Sequence, residues 1–259
     1  NSSVAYVYSF LPTDFGRVSD AMMESATDNS VYTWENNSIY YITNGIWSPL
    51  KRVDDGWSFW NGVRSANLFL EDFDPKVLER FQYNEDYDEM IDKASKFSLE
   101  VRFLRAFYLF ELAKRYGDIP LITRTYTQEE INSVRKTSFA DVIDFIAKEC
   151  TEITREGGLP EDGVRGETGR VTKGAALALH NPGHDLTKWE AAAKAAYEVI
   201  KMNKYQLPKV STDPLYSDLG GNEVLKSKQL IFERRAIATT SDFESRNEPM
   251  GYEGAEGGN

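Results

Sequence analysis

Apolar residues recur at helical spacing in several stretches of this chain, most strongly from Ser98 to Tyr116. Leu99, Phe103, Phe107 and Phe110 mark one stripe there. The other sides are also apolar, which predicts a helix at the centre of the fold. Glu111 stands four residues before Arg115, a supportive spacing, and Gly117 then supplies a C-terminal stop. Pro120 follows, so Ile119 to Thr123 is extended. A second helix is predicted over Trp57 to Leu70, with Val63, Ala66 and Leu70 on one stripe. Ser138, with Asp141 at the capping-box spacing, opens a third from Phe139 to Ile153. Thr172 is an N-cap before the small residues Gly174, Ala175, Ala176 and Ala178, which let two helices approach closely. Trp189 to Lys201 is helical again, with Ala192, Ala193, Ala196, Val199 and Ile200 on its inner side.

Elsewhere the periodicity is short or fails. Val4 to Leu11 reads as the end of a helix or a short strand, and Ser19-Asp20 open a short helical pattern through Ala21, Met22 and Met23. From Thr27 to Asp55, Asn, Asp, Ser and Gly alternate with Tyr32, Trp34, Tyr40, Tyr41 and Trp47, the pattern of a long loop carrying aromatics. Loops of that length are functional or disordered, and disordered ones are poor in aromatics. After Tyr205 the chain is loop-rich apart from Leu230-Ile231-Phe232. Successive helix pairs with small residues at their crossings predict an all-α fold, a tetratricopeptide-like α-solenoid with long aromatic loops.

Composition narrows the functional classes. The 259 residues carry a formal net charge of -11, and no Lys/Arg run offsets it, so a nucleic-acid partner is excluded. Cys150 is the single cysteine; it leaves no internal disulfide or Cys-based metal site, and it falls among Val142, Ile146 and Ile153 as a small buried apolar residue. No apolar stretch is long enough to span a bilayer, and Asn1-Ser2-Ser3-Val4 lacks the basic flank and apolar run of a signal peptide.

The aromatic share of 13% is generous. Sugars present apolar C–H faces rimmed by hydroxyls, so a site for them combines flat aromatics with amides, carboxylates or guanidinium groups. Trp57, Asn61 and Arg64 fall on one side of their helix in that mixture, and Trp34, Tyr40, Tyr41 and Trp47 lie in the loop before it. The competing reading is that Trp57 and Trp60 anchor the core and the loop aromatics pin the loop. His180 and His184 are four apart, but Pro182-Gly183 prevents the helix that would make them a metal pair. Asp54-Asp55-Gly56 lacks the remaining ligands of a calcium loop and reads as a turn or N-cap. No Gly-x-Ser-x-Gly, phosphate-binding Gly loop or Cys-His pairing is present, so neither catalysis, a metal nor a cofactor is expected.

Arg102-Phe103-Leu104-Arg105-Ala106, followed by Tyr116-Gly117-Asp118-Ile119-Pro120-Leu121, resembles the signature helix of the SusD/RagB family. Three further blocks resemble it in the right order: Trp57 to Leu70 with Asn67, Gly169 to Leu179, and Trp189 to Leu207. The resemblance implies a cell-surface glycan-binding lipoprotein of the outer membrane, non-catalytic, that caps a SusC-like TonB-dependent transporter and holds oligosaccharide for import. It leaves open a peptide-binding RagB-like uptake protein, and the helical pattern leaves open a protein-interaction scaffold. Membrane attachment would come only through a lipid anchor absent from this chain.

Two departures qualify the resemblance. The family helix beginning at Thr172 runs on for several turns, whereas here His180-Asn181-Pro182-Gly183 follow Leu179. That break implies a deletion or a missing stretch at 179/180; the second is favoured, since a helix of about eight residues is marginal alone. The family is also longer. Residues 1–259 are therefore expected to be one helical domain forming the amino-terminal half of such a protein, with part of the ligand site beyond it.

Overall fold

The computed structural model describes residues 2–12, 18, 21–54, 56–162, 169–180, 189–206, 228 and 230–234. It divides into two compact units, Asn1–Phe10 with Trp57–Glu233, and Leu11–Gly56 with Arg234–Asn259.

The first unit is helical. Its elements are α1 (Ser2–Tyr8), α3 (Phe59–Asp72), α4 (Tyr87–Tyr116), α5 (Gln128–Ser133), α6 (Phe139–Ile153), α7 (Lys173–Leu179) and α8 (Trp189–Lys201), with a 3-10 helix at Pro75–Phe81 between α3 and α4. Helix α2 lies in the other unit. Contacts run α3 to α4, α4 to α6, α6 to α7 and α7 to α8, while α1 packs on α3 and α4. This neighbour-by-neighbour stacking of helix pairs is the predicted solenoid logic. No strand occurs among the described residues, only isolated bridges such as Ile119 with Thr137.

Helix α4 is the central strut, with Val101, Leu104, Ala106, Tyr108, Leu109 and Leu112 fully buried. It starts at Tyr87 rather than Ser98. The added turns are polar and show no apolar stripe, but Asp88 and Glu89 favour the helix N-terminus and Glu89 pairs with Lys93 at 3.1 Å. Gly117, at φ 68°, ends the helix as expected. At the crossing of α3 and α4, a Cβ on Gly62 would lie 2.6 Å from the Tyr108 ring. That ring is buried and its hydroxyl donates to the Val7 carbonyl at 2.6 Å, so it cannot swing away. Gly62→Ala is expected to cost about 1–3 kcal/mol by overpacking, read as a lower denaturation midpoint at unchanged slope.

Charged groups inside the unit are paired, although Arg105 Nε and His180 Nδ1 are buried without a hydrogen-bond partner among the described residues. Arg105 donates to Asn67 Oδ1 at 2.9 Å, to the Thr123 carbonyl at 3.0 Å and to Glu149 at 3.0 Å. Arg102 reaches the same carboxylate at 2.7 Å and Glu152 at 2.5 Å. Asn67 in turn donates to the carbonyls of Ile122 and Arg124. Burial alone would raise the Glu149 pKa, but the hydrogen bonds and charges of Arg102 and Arg105 outweigh it and hold the carboxyl below its usual range. A second cluster surrounds Glu100, which accepts from Tyr8 at 2.5 Å and Arg170 at 2.7 Å; the Tyr8 oxygen also accepts the Val171 N–H. Burial, then the Glu100 charge, raises the Tyr8 pKa well above that of a free phenol.

Of the two readings of Val4 to Leu11, the helical one holds as far as Tyr8, the end of α1. Three expectations need correction. The helical pattern predicted from Ser19-Asp20 through Met23 is not formed at Ala21 and Met22: Val18 and Ala21 exchange backbone hydrogen bonds, a 3-10 helix begins only at Met23–Ala26, and Ser19 and Asp20 lie outside the described residues. The long loop contains one short helix, α2 (Tyr40–Thr43). On α8 the buried residue is Ala195, while Ala193, Ala196 and Ile200 face outward, because the helix packs on α7 through one line of contact. Cys150 is buried as predicted, and burial followed by the Glu149 charge pushes its thiol up to about 12. Pro182 to Asp185, with His184, lies outside the described residues.

The second unit is held by a small cluster of Val18, Ala21, Tyr32 and Ile39, flanked by Ala26, Tyr40, Ile42 and Val53. Asp54 accepts the Gly56 N–H at 3.0 Å, the Asx turn that the sequence favoured over a calcium loop.

Candidate functional site

Among the described residues each unit contains an open cleft, and the seven candidate residues divide between the units. In the first, α3, the end of α4 and the chain from 116 to 136 enclose a groove of about 920 Å³. The turn before α3 puts Trp57 at its mouth, 59% exposed, and the next two helical turns add Asn61 and Arg64, both exposed. The three residues that the helical spacing grouped are brought together. Trp57 is no core anchor. It leans on Tyr116 with ring centroids 5.8 Å apart at 55°.

The opposite wall was not foreseen. Asn67 and Arg105 fix the carbonyls of 122–124, and the Ile119–Thr137 bridge closes the excursion that holds α5, so Tyr126, Gln128, Ile131 and Lys136 face the groove. Arg124 lies over the Tyr126 ring at 4.0 Å and pairs with Glu130 at 2.9 Å. The Arg124 hydrogen bond first, then the Thr127 N–H, lower the Glu130 pKa to about 2. Thr127 and Glu130 form a capping box for α5. Only Thr127 followed three residues later by Glu130 marked this wall in the sequence.

In the second unit, Glu35, Asn36, Asn37, Ser38, Tyr40, Tyr41, Asn44 and Ile46 line a cleft of about 590 Å³. Tyr40 is half pinned: its hydroxyl donates to the Tyr32 carbonyl and its ring packs on the cluster. Tyr41 has Lys51 over its ring at 5.5 Å. The Asn37 side-chain oxygen accepts the Ile39 N–H, which orients the short helix behind it. The amides at 36, 37 and 44 were the missed residues, and the signal was their recurrence beside Trp34 and the tyrosines. Trp34 and Trp47 are 61% and 62% exposed and line neither cleft.

Among the described residues there is no cluster able to hold a metal and no helix long and apolar enough to cross a membrane. His180 caps α7 and its Nε2 lies 3.1 Å from the Thr151 hydroxyl.

No protein-family model and no curated protein matches the chain. Solved structures do. A SusD-like protein from Bacteroides fragilis superposes with TM-score 0.72 at 27% identity, covering 92% of this chain and 44% of that one. This chain is similar in fold to SusD-like proteins. A SusD-like carbohydrate-binding protein from the same species matches with TM-score 0.67 at 24% identity, covering 89% and 44%. Surface glycan-binding protein A from Bacteroides thetaiotaomicron, solved with laminarihexaose, matches with TM-score 0.62 at 17% identity, covering 89% and 47%. The SusD-like chain thus spans less than half the length of these structures. In it, the two signature arginines, Arg102 and Arg105, clamp α6, Asn67 and the extended segment, and neither lines either of the two clefts described.

Proposed function

We propose that this SusD-like chain belongs to a non-catalytic, cell-surface carbohydrate-binding protein. It would hold oligosaccharide for import beside a SusC-like TonB-dependent transporter of the outer membrane, held at the surface by a lipid anchor. The observation that carries the reading is the chemistry of the second-unit cleft. Three asparagines, a glutamate and a serine stand beside Tyr40 and Tyr41 in an open trough. Amides donate to and accept from sugar hydroxyls and a carboxylate accepts from them, while a tyrosine face covers the C–H side. The exposed Trp34 adjoins this run in sequence and supplies a further flat surface. Shared SusD-like architecture with a protein solved with laminarihexaose supports an oligosaccharide as the occupant.

Calorimetry of the purified chain against a panel including laminarihexaose and maltohexaose is expected to give heats without release of reducing ends. Steady product formation would replace binding by catalysis, and heats from a peptide library alone would replace the glycan by peptide. Tyr41→Ala is expected to weaken the best glycan roughly tenfold, the equivalent of about 1.4 kcal/mol, with the thermal midpoint unchanged. Tyr40→Ala would lower that midpoint as well, because its hydroxyl secures the loop.

A further inference from the structure

The first-unit groove plays no part in the reading above, yet its lining is unlike a packing defect. Its exposed members include a tryptophan, a tyrosine, an amide and three cations, Arg64, Arg124 and Lys136. Their electrostatic circumstances differ. Arg124 is matched by Glu130 at 2.9 Å, with Glu71 held nearby on Thr125. Arg64 and Lys136 make no ion pair among the described residues. Asp118 is the one carboxylate among the lining residues, and it is engaged by the Phe139 N–H at the start of α6, at 2.9 Å. Two uncompensated cations thus face an open groove in a chain whose formal net charge is -11. An anionic ligand is attracted there against the general field of the molecule.

The positions of these groups narrow the ligand. Trp57 sits in the turn before α3 and Asn61 and Arg64 follow on the helix, so the aromatic surface and the guanidinium are separated by about 10 Å along its axis. A molecule meeting both is elongated, with a flat apolar face at one end and an anion further along. Arginine recognises a carboxylate through its planar fork, and a lysine opposite adds a point charge. Resting on the carbohydrate reading, we infer that this groove is a second saccharide site selective for uronic acids. One ring would stack on Trp57 beside Tyr116 while the carboxylate of a linked residue pairs with Arg64 and Lys136.

The test is calorimetry of the full chain with a galacturonate hexamer and with laminarihexaose, at low and high salt. The galacturonate oligomer is expected to bind, to weaken as salt rises, and to lose at least tenfold in affinity in an R64Q/K136Q variant that leaves laminarihexaose binding unchanged. Both side chains are exposed and without ion pairs, so the variant's melting curve should match the wild type and exclude misfolding. Galacturonate binding insensitive to salt or to the double substitution would overturn the inference. So would laminarihexaose binding with no response to galacturonate, and in both cases general carbohydrate binding would stand. Silence towards every glycan would overturn the carbohydrate reading along with it.

Discussion

Arg105→Ala is expected to destabilise the first unit by about 3–5 kcal/mol, the range seen when one partner of a buried ion pair is removed. Arg105 joins three segments distant in sequence: Asn67 on α3, the Thr123 carbonyl in the extended stretch, and Glu149 on α6. Without it, Glu149 keeps only Arg102, and Asn67 loses the donor to its side-chain oxygen. The loss exceeds that of an ordinary salt bridge because both charges are nearly enclosed, with side-chain exposures of 9% and 10%. Arg105→Lys should be intermediate, since an ammonium cannot reproduce the fork that spans amide, carbonyl and carboxylate. Equilibrium denaturation measures both. The same clamp has a pH signature. Because the folded Glu149 pKa lies below its unfolded value, its contribution is present above the ordinary carboxylate range and disappears as pH falls through the folded pKa. An Arg105→Ala protein as stable as the wild type would show that the signature arginines do not hold the helices together.

Glu100→Ala is the second large effect, again of about 3–5 kcal/mol. Glu100 is 1% exposed and ties Tyr8 at the end of α1 and Arg170 just before α7 to the middle of α4. Removing it takes a buried carboxylate partner from the Arg170 guanidinium, which lies against Phe97 and Tyr8. Tyr8→Phe provides the comparison: it deletes one hydrogen bond to Glu100 and one from the Val171 N–H but leaves the ion pair, so its cost should be nearer 1–3 kcal/mol. Melting temperatures of the two variants, read alongside double-mutant coupling, test the ranking. Equal losses would mean that the hydroxyl, not the charge pair, carries the junction.

What could be read beforehand follows from how local each signal is. The second half of α4 was legible because Phe103, Phe107 and Phe110 write its period directly; its first half was not, because Tyr87 to Phe97 is shaped by charge pairs and by the 3-10 helix before it. Trp57, Asn61 and Arg64 could be grouped because helical spacing alone puts them on one face. Lys136 and Tyr126 could not, because they reach the groove through the long-range bridge of Ile119 with Thr137 and the Asn67 and Arg105 hydrogen bonds to the wall. The inner face of α8 was misplaced for a related reason. Alanines on every side give no preferred stripe, so the neighbour α7 chooses it. Within the aromatic loop, Tyr40 and Tyr41 looked equivalent; the hydroxyl contact with Tyr32 and the packing of its ring make Tyr40 the anchor, while Tyr41 carries Lys51 over its ring.

The enclosure of Cys150 gives the protein an internal gauge. With its thiol shifted to about 12 and its side chain sealed beneath α6, it is sheltered from alkylating reagents while that helix stays docked. Its rate of modification therefore counts the excursions in which α6 lifts off the scaffold, so the single native thiol can time the opening of this protein without any probe being introduced.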